Sequence, residues 1–360
     1  MTADTAHTQR LRRWNWLVAF GAAALVGGLV GGVIVHWGSD SGSTSHDAVC
    51  VSTTVAKNVL PTIVTITANA GANSGSGSGE FIRPDGYVLT NDHVIAAAAN
   101  GGTTEIVLTD GESAQASIIG RDPATDLAVL KASGLRSPSV ISFGSSDALN
   151  IGQPVVALGS PLGFSSSVTT GIVSALGRNV QLPGQGDQSA LLVDAIQTDA
   201  AINPGNSGGA LVDCAGKLIG IPTAGAVAPS PSGQQSVGNI GIGFAIPAKL
   251  ADLVSRELIA SGMVSHAEFG LQVSPTTPSP ERQAGTSGGL FVSQVRSGGP
   301  ASSAGLQPGD VITKIEREPA RSTDQLIALT LTKRAGDTVS LTYQRQGQSR
   351  ETTVTLGSQQ

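Results

Sequence analysis

The chain has 360 residues, enough for two domains with sizeable cores. Charged residues make up only 13 % of it, against about 25 % in typical domains; with 47 glycines and few aromatics, this composition suits a β-rich globular protein and excludes a disordered one. The net charge of −5, without a basic patch or aromatic-basic interleaving, argues against nucleic acid as a partner.

In chain order, Arg10, Arg12 and Arg13 make residues 1–13 positive. Residues 14–37, WNWLVAFGAAALVGGLVGGVIVHW, follow without an Asp, Glu, Lys or Arg, and about twenty apolar helical residues span a bilayer core. Trp14 and Trp16 stand at one end and Trp37 at the other, as in an aromatic belt. Arginines precede the run, and no Lys or Arg follows it until Lys57. That asymmetry places residues 1–13 in the cytoplasm and everything after residue 38 outside. A cleaved signal peptide is the rival reading. Its apolar region is usually shorter and ends in an A-x-A-like site, whereas GSDSGSTSHD follows here, which favours an uncleaved single-pass anchor in the cell membrane. Gly27/Gly31 and Gly28/Gly32 have the spacing that brings membrane helices together, though Gly is frequent in such helices in any case.

Residues 38–48 are Ser/Gly-rich and read as a tether. A first unit covers 49–263, and from about 49 to 247 it carries many short strand patterns: PTIVTITA, EFIRPDGYVLT, TEIVLTD, DLAVLKA, PVVALG, TGIVSALG, ALLVDAIQ, GALVD, KLIGI and IGFAIP. Their length and turn signals predict a barrel or sandwich, not β-α-β units. PAKLADLVSRELIASG (247–262) predicts a helix, with Pro247 in its first turn, an apolar face of Leu250, Leu253, Val254, Leu258 and Ile259, and Gly262 at its end. A second unit covers 264–360. STDQLIALTLTKRAGD in it predicts a helix, with Ser322 and Gln325 as a capping box and Gly336 just past the last turn. Residues 226–239 and 274–288 read as loops. Cys50 and Cys214 both fall on the outer side. An oxidising compartment permits a disulfide, two buried thiols also fit, and sequence separation does not decide between them.

The chemistry centres on QTDAAINPGNSGGALVD (197–213), where Ser207 stands among Gly205, Gly208 and Gly209. Such glycines fit an ordinary turn, and Asn-Ser-Gly and Ser-Gly-Gly recur elsewhere in the chain. A serine hydroxyl is a poor nucleophile until a base takes its proton. Between 49 and 263 the one histidine is His93, at the end of the strand pattern GYVLT. A carboxylate must then hold the imidazole tautomer. Asp126, directly after the turn RDPAT, is the preferred candidate, and Asp122 and Asp199 are alternatives. Asp92 is poorly placed if the strand runs through it, because neighbouring strand side chains point to opposite faces. The order His93, Asp126, Ser207 is that of chymotrypsin-like enzymes. The amides of Gly205 and Ser207 are the candidate donors to an oxyanion.

These segments resemble the HtrA/DegP-like serine proteases. TNDHVI, DPATDLAVLK, GSPLGFSSSVTTGIVSALGR, QTDAAINPGNSGGALVD and IGFAIP match signature segments in the family's order, and GLQPGDVI matches its PDZ domain. The resemblance covers roughly 50–357. It implies a mainly β fold: a chymotrypsin-like pair of six-stranded barrels, then an α+β PDZ domain. It implies a triad of His93, Asp126 and Ser207, with Gly205 and Ser207 as the oxyanion hole, and a serine endopeptidase cleaving unfolded or misfolded extracytoplasmic proteins through an acyl-enzyme. The expected pocket uses Ile202, Ile221 and Thr223; with no acid there, small or medium aliphatic side chains are favoured. EFGLQ (268–272) resembles the family's carboxylate-binding loop, which makes Phe269, Gly270 and Leu271 candidates for binding peptide C-termini by strand addition. The family suggests a homo-oligomer, a trimer. No cofactor or metal is expected. Two stretches depart from the family: ANAGANSGSGSG is short where some members carry a regulatory loop, and 226–239 is long. The alternative function is a proteolytically idle PDZ scaffold or chaperone of the cell envelope.

Overall fold

A computed structural model describes residues 50–135, 138–160, 166–181, 190–225, 241–276 and 288–359. The predicted anchor, the tether and the loop 226–239 lie outside them. Among the described residues no helix is long and apolar enough to cross a membrane.

Helix α1 (Ser52–Val59) buries Val55 and Val59, four residues apart on one face. Six strands then close a barrel: β1 (Ile63–Ala70), β2 (Asn73–Phe81), β3 (Tyr87–Thr90), β4 (Thr103–Leu108), β5 (Ser113–Asp122) and β6 (Leu127–Ala132), in the order β1-β2-β3-β6-β5-β4. Alternation divides their side chains between two cores. Val64, Ile66, Phe81, Val88, Ile106, Ala128 and Leu130 fill the barrel, while Ile63, Leu89, Leu127 and Val129 point outward into a core shared with the second barrel. That barrel comprises β7 (Pro154–Gly159), β8 (Ser167–Gln181), β9 (Leu191–Thr198), β10 (Ala210–Val212), β11 (Leu218–Gly225) and β12 (Gly243–Pro247), ordered β10-β11-β12-β9-β8-β7. Val155, Ala157, Val173, Ile196 and Leu211 fill it, and Val156, Leu158, Ala210 and Val212 meet the first barrel. The double-barrel expectation holds.

Helix α3 (Ala248–Ser261), named after the short helix α2 (Asp92–Ile95), buries Leu250, Val254 and Leu258 in the shared core. Pro247 ends β12 instead of entering the helix's first turn. The glycine-rich stretch that shows no strand pattern is most of β2. Cβ atoms at Gly75 and Gly77 would lie 2.5 Å from the Val94 carbonyl oxygen and 2.6 Å from the Val94 side chain. Bare backbone on that face is what lets α2 lie against the strand.

The second unit has strands β13 (Ala267–Glu268), β14 (Leu271–Pro275), β15 (Leu290–Val295), β16 (Val311–Ile315), β17 (Glu318–Pro319), β18 (Thr338–Arg345), β19 (Gln348–Thr355) and β20 (Gly357–Ser358). Its main sheet runs β14-β15-β16-β18-β19, so β14 is an edge strand. Helices α4 (Pro300–Ser303) and α5 (Asp324–Thr332) complete the unit. Leu290, Val292, Ile312, Leu326, Val339 and Leu341 form its core. At the start of α5, Ser322 Oγ accepts from the Asp324 amide at 3.1 Å and Gln325 Oε1 from the Ser322 amide at 3.2 Å, a variant of the expected capping box. Gly336 falls in the turn before β18, since the helix already ends at Lys333. Leu331 packs on Leu191 and Val193 of β9. Arg334 Nε donates to Glu257 of α3 at 2.6 Å, and His266 Nε2 lies 2.8 Å from Asp122 Oδ1. Cys50 and Cys214 are bonded, with Cα atoms 5.0 Å apart.

Candidate active site

His93 is the second residue of α2, which begins right after β3, so it stands on a helical turn and not at a strand end. This changes the reason Asp92 is unavailable to it. Arg121 Nε and Nη2 donate to the two oxygens of the buried Asp92 at 2.7 and 2.8 Å. The turn Asp122–Thr125 brings Asp126 to the mouth of β6 with φ +57°, a left-handed conformation uncommon for a residue with a side chain. Buried Asp126 is held at both ends. Its carbonyl accepts from Asn91 Nδ2 at 2.8 Å and from the Asp92 amide at 3.2 Å. Its carboxylate accepts from the His93 amide at 3.0 Å and faces His93 Nδ1 at 2.9 Å. That contact places the proton of a neutral ring on Nδ1 and leaves Nε2 as the basic atom. Burial disfavours a charged ring. The hydrogen bond and charge of Asp126, with the charge of Asp92, outweigh it and hold the His93 pKa above its ordinary value. Asp122 turns instead to His266 and to the Thr125 hydroxyl, 2.5 Å away, and Asp199 accepts the Ile172 amide at 2.7 Å.

Ser207 follows a tight turn in which the Asn206 amide donates to the Asn203 carbonyl at 3.0 Å. Pro204 and Gly205, the latter with φ +99°, fill the two central positions as a type II turn requires. Ser78 Oγ of β2 donates to the Gly205 carbonyl at 2.6 Å and accepts the Ser160 amide at 2.7 Å, which ties this turn to the first barrel. Gly208 has φ +79°, and a Cβ there would sit 2.4 Å from both the Ser78 carbonyl oxygen and the Thr90 hydroxyl. Among the described residues, the Gly205 and Ser207 amides have no hydrogen-bond acceptor.

Thr223 joins the two halves. It is the bulged residue of β11, between Pro222 and Ala224 in the pairing with β12, and a bulge re-aims a side chain. Its hydroxyl donates to Asp126 Oδ2. Its carbonyl accepts from Ser207 Oγ at 3.1 Å. The structure therefore gathers His93, Asp126, Thr223 and Ser207, with the serine hydroxyl turned to Thr223. Ile202 and Ile221 do not form one wall. Ile202 fills the interior of the second barrel, while Ile221 faces the core between barrels, so their clusters are separate. In the second unit Phe269 is buried, Gly270 has φ +69°, and half-buried Leu271 opens the edge strand β14. Ser78, Asn91 and Arg121 carry no motif of their own in the sequence. Only a Ser, an Asn and an Arg beside the histidine and aspartate segments would have hinted at them.

The fold and the site define a trypsin-like peptidase joined to a PDZ unit. A family model described as a trypsin-like peptidase domain matches residues 77–221, and one described as a PDZ domain matches residues 267–356. The serine protease PepD of Mycobacterium tuberculosis is 41% identical over 310 residues, covering 84% of this chain and 65% of that protein. A probable periplasmic serine endoprotease, DegP-like, of Rhizobium meliloti is 38% identical over 282 residues, covering 78% of this chain and 53% of that protein. The solved HtrA-type protease AlgW with decapeptide superposes with a TM-score of 0.66 at 35% identity, over 86% of this chain and 99% of that one. The chain thus spans between about half and two thirds of these two curated relatives' lengths. The chain belongs to the HtrA-type serine proteases with a PDZ domain.

Proposed function

We propose that this chain is an extracytoplasmic endopeptidase in which Ser207 is the nucleophile, His93 the general base and Asp126 the acid that orients it. The carrying observation is the carboxylate of Asp126 at 2.9 Å from His93 Nδ1, joined through Thr223 to the Ser207 hydroxyl. In the reaction the hydroxyl leaves the Thr223 carbonyl and gives its proton to His93 Nε2 as Oγ attacks the scissile carbonyl. The amides of Gly205 and Ser207 receive the oxyanion. His93 then protonates the leaving amine, and water repeats the sequence on the acyl-enzyme.

Unfolded or misfolded chains suit this reading because a scissile carbonyl must reach the Ser207 hydroxyl and the Gly205 and Ser207 amides together, which an extended segment allows. The solved relative bound to a decapeptide and the relatives named periplasmic support that reading and an extracytoplasmic location. The run 14–37 would anchor the protein, on sequence grounds alone. In the PDZ unit, a peptide C-terminus would add to edge strand β14 beside Leu271, with the Phe269–Leu271 loop at its carboxylate. On α5, Leu326 and Leu329 are committed to the PDZ core and Leu331 to β9, which leaves exposed Ile327 for the other groove wall. An oligomer is proposed from the family alone. The test is digestion of an unfolded protein by residues 49–360 beside Ser207→Ala, with labelling by a fluorophosphonate. Labelling and fragments from the native chain only are expected. A native chain that neither labels nor cuts is an idle scaffold.

A further inference from the structure

The first barrel contains an acid that the mechanism above does not use. Glu80, one residue before the end of β2, is fully buried, and among the described residues neither of its carboxylate oxygens has a partner. Asn91 is also fully buried, and among the described residues its Oδ1 is likewise without a partner, while its Nδ2 donates to the Asp126 carbonyl. The strand register sets these two side chains on one face. Glu80 is opposite Leu89 of β3, and Asn91 lies two residues further on in an extended conformation. Both therefore project from the face that carries Ser78 and Leu89 toward the second barrel, as diagonal neighbours within reach of a long side chain.

Both orphan sites are acceptors as long as Glu80 is charged, and two acceptors repel. One proton on Glu80 removes that repulsion and pairs one of its oxygens with Asn91 Oδ1. We propose that Glu80 is a neutral carboxylic acid that donates its O–H to Asn91 Oδ1, fixes the asparagine amide, and so positions the left-handed Asp126 beneath His93. Glu80 is then a positioning residue for the reaction proposed above, and the inference rests on that reading.

The surroundings favour the neutral form. Burial alone raises the Glu80 pKa well above the carboxylate range. The flanking strand β1 has no charged residue, and β7 and β10, which meet this face, have none either. On β3, Tyr87 is covered by Arg83 and Lys131, at 5.0 and 3.9 Å from its ring centre. Helix α2 packs on the opposite face of β2, where Asp92 is bound to Arg121 and His93 to Asp126.

Two substitutions separate the roles. Glu80→Gln keeps a donor for Asn91 but cannot ionise; Glu80→Val suits a buried strand but removes the donor. We expect Glu80→Val to lower kcat about tenfold, the worth of roughly one hydrogen bond, with KM within about twofold. Glu80→Gln should restore kcat. Native protein should lose activity as pH rises through the Glu80 titration, where the acid ionises against Asn91, and Glu80→Gln should lack that alkaline limb. The infrared carbonyl band of a protonated carboxylic acid should be present in native protein at neutral pH and absent from Glu80→Gln. That band requires no catalysis, so it judges Glu80 even if the peptidase assignment fails. Wild-type kcat in Glu80→Val, equal losses in both variants, or no such band would overturn the proposal.

Discussion

In the first barrel the two titratable groups of the site are held by other side chains. Arg121 grips Asp92, Asn91 holds the Asp126 carbonyl, and the Asp126 carboxylate spans the His93 amide and ring. In the second barrel Ser207 is held by main chain: a Pro-Gly turn, a Gly208 amide donating to the Pro222 carbonyl at 2.9 Å, and a hydroxyl resting on the Thr223 carbonyl. Fixing charge in a partly buried place takes several partners, because an unmatched ion is costly there. A hydroxyl needs only a backbone that positions it and leaves it one bond rotation to make.

This contrast can be broken by substitution. The largest effect belongs to Ser207→Ala, which should cut kcat/KM by about 10⁶-fold while leaving the melting temperature nearly unchanged, since one half-buried hydroxyl is lost. Asp126→Asn should cost about 10⁴-fold, measured on the same peptide. It should also disturb stability, because Asp126 is tied into both barrels. A folding penalty from Ser207→Ala larger than that from Asp126→Asn would reverse the comparison. Gly208→Ala should destabilise the fold by about 3 kcal/mol or more in urea titration, because its Cβ meets backbone at a positive φ. Thr223→Val, which keeps the carbonyl but not the hydroxyl, should lower kcat about tenfold.

The smallest effect is on pH. His93 must be neutral to accept a proton, so kcat/KM should rise with pH through a midpoint above the ordinary histidine value. Below that midpoint the ring is charged and the enzyme idle. Asp126→Asn removes the charge that raises the midpoint and should move it downward. A native midpoint below the ordinary value would mean that burial outweighs the two carboxylates.

Much of this architecture was legible in the sequence because alternating Val, Ile and Leu mark most strands of both barrels. The candidate histidine stood out because His93 is the one histidine between 49 and 263, whereas Asp126 and Ser207 were singled out from other aspartates and Gly-flanked serines by the segments that resemble the family. Other features were hidden. Gly75, Gly77 and Gly79 alternate where apolar side chains normally advertise a strand, so β2 is underestimated. Asp126 reads as the first residue of a strand but takes a left-handed conformation just before it, with bonds to Asn91, Asp92, His93 and Thr223 that the sequence does not announce. Ile202 and Ile221 both look like pocket residues, and sequence alone does not reveal that they serve different cores. Glu80 is a lone acid in a Gly/Ser-rich strand, and its significance depends on which face is covered.

The bond between Cys50 and Cys214 has a mechanical meaning. It fastens the first described residue to the turn joining β10 and β11, where a Cβ on Gly216 would lie 3.1 Å from Val59 of α1. α1 is therefore held at both ends, by the covalent bond just ahead of it and by the chain running on into β1. Under reducing conditions only its C-terminal end would stay fastened, and its first turn would be the first to fray.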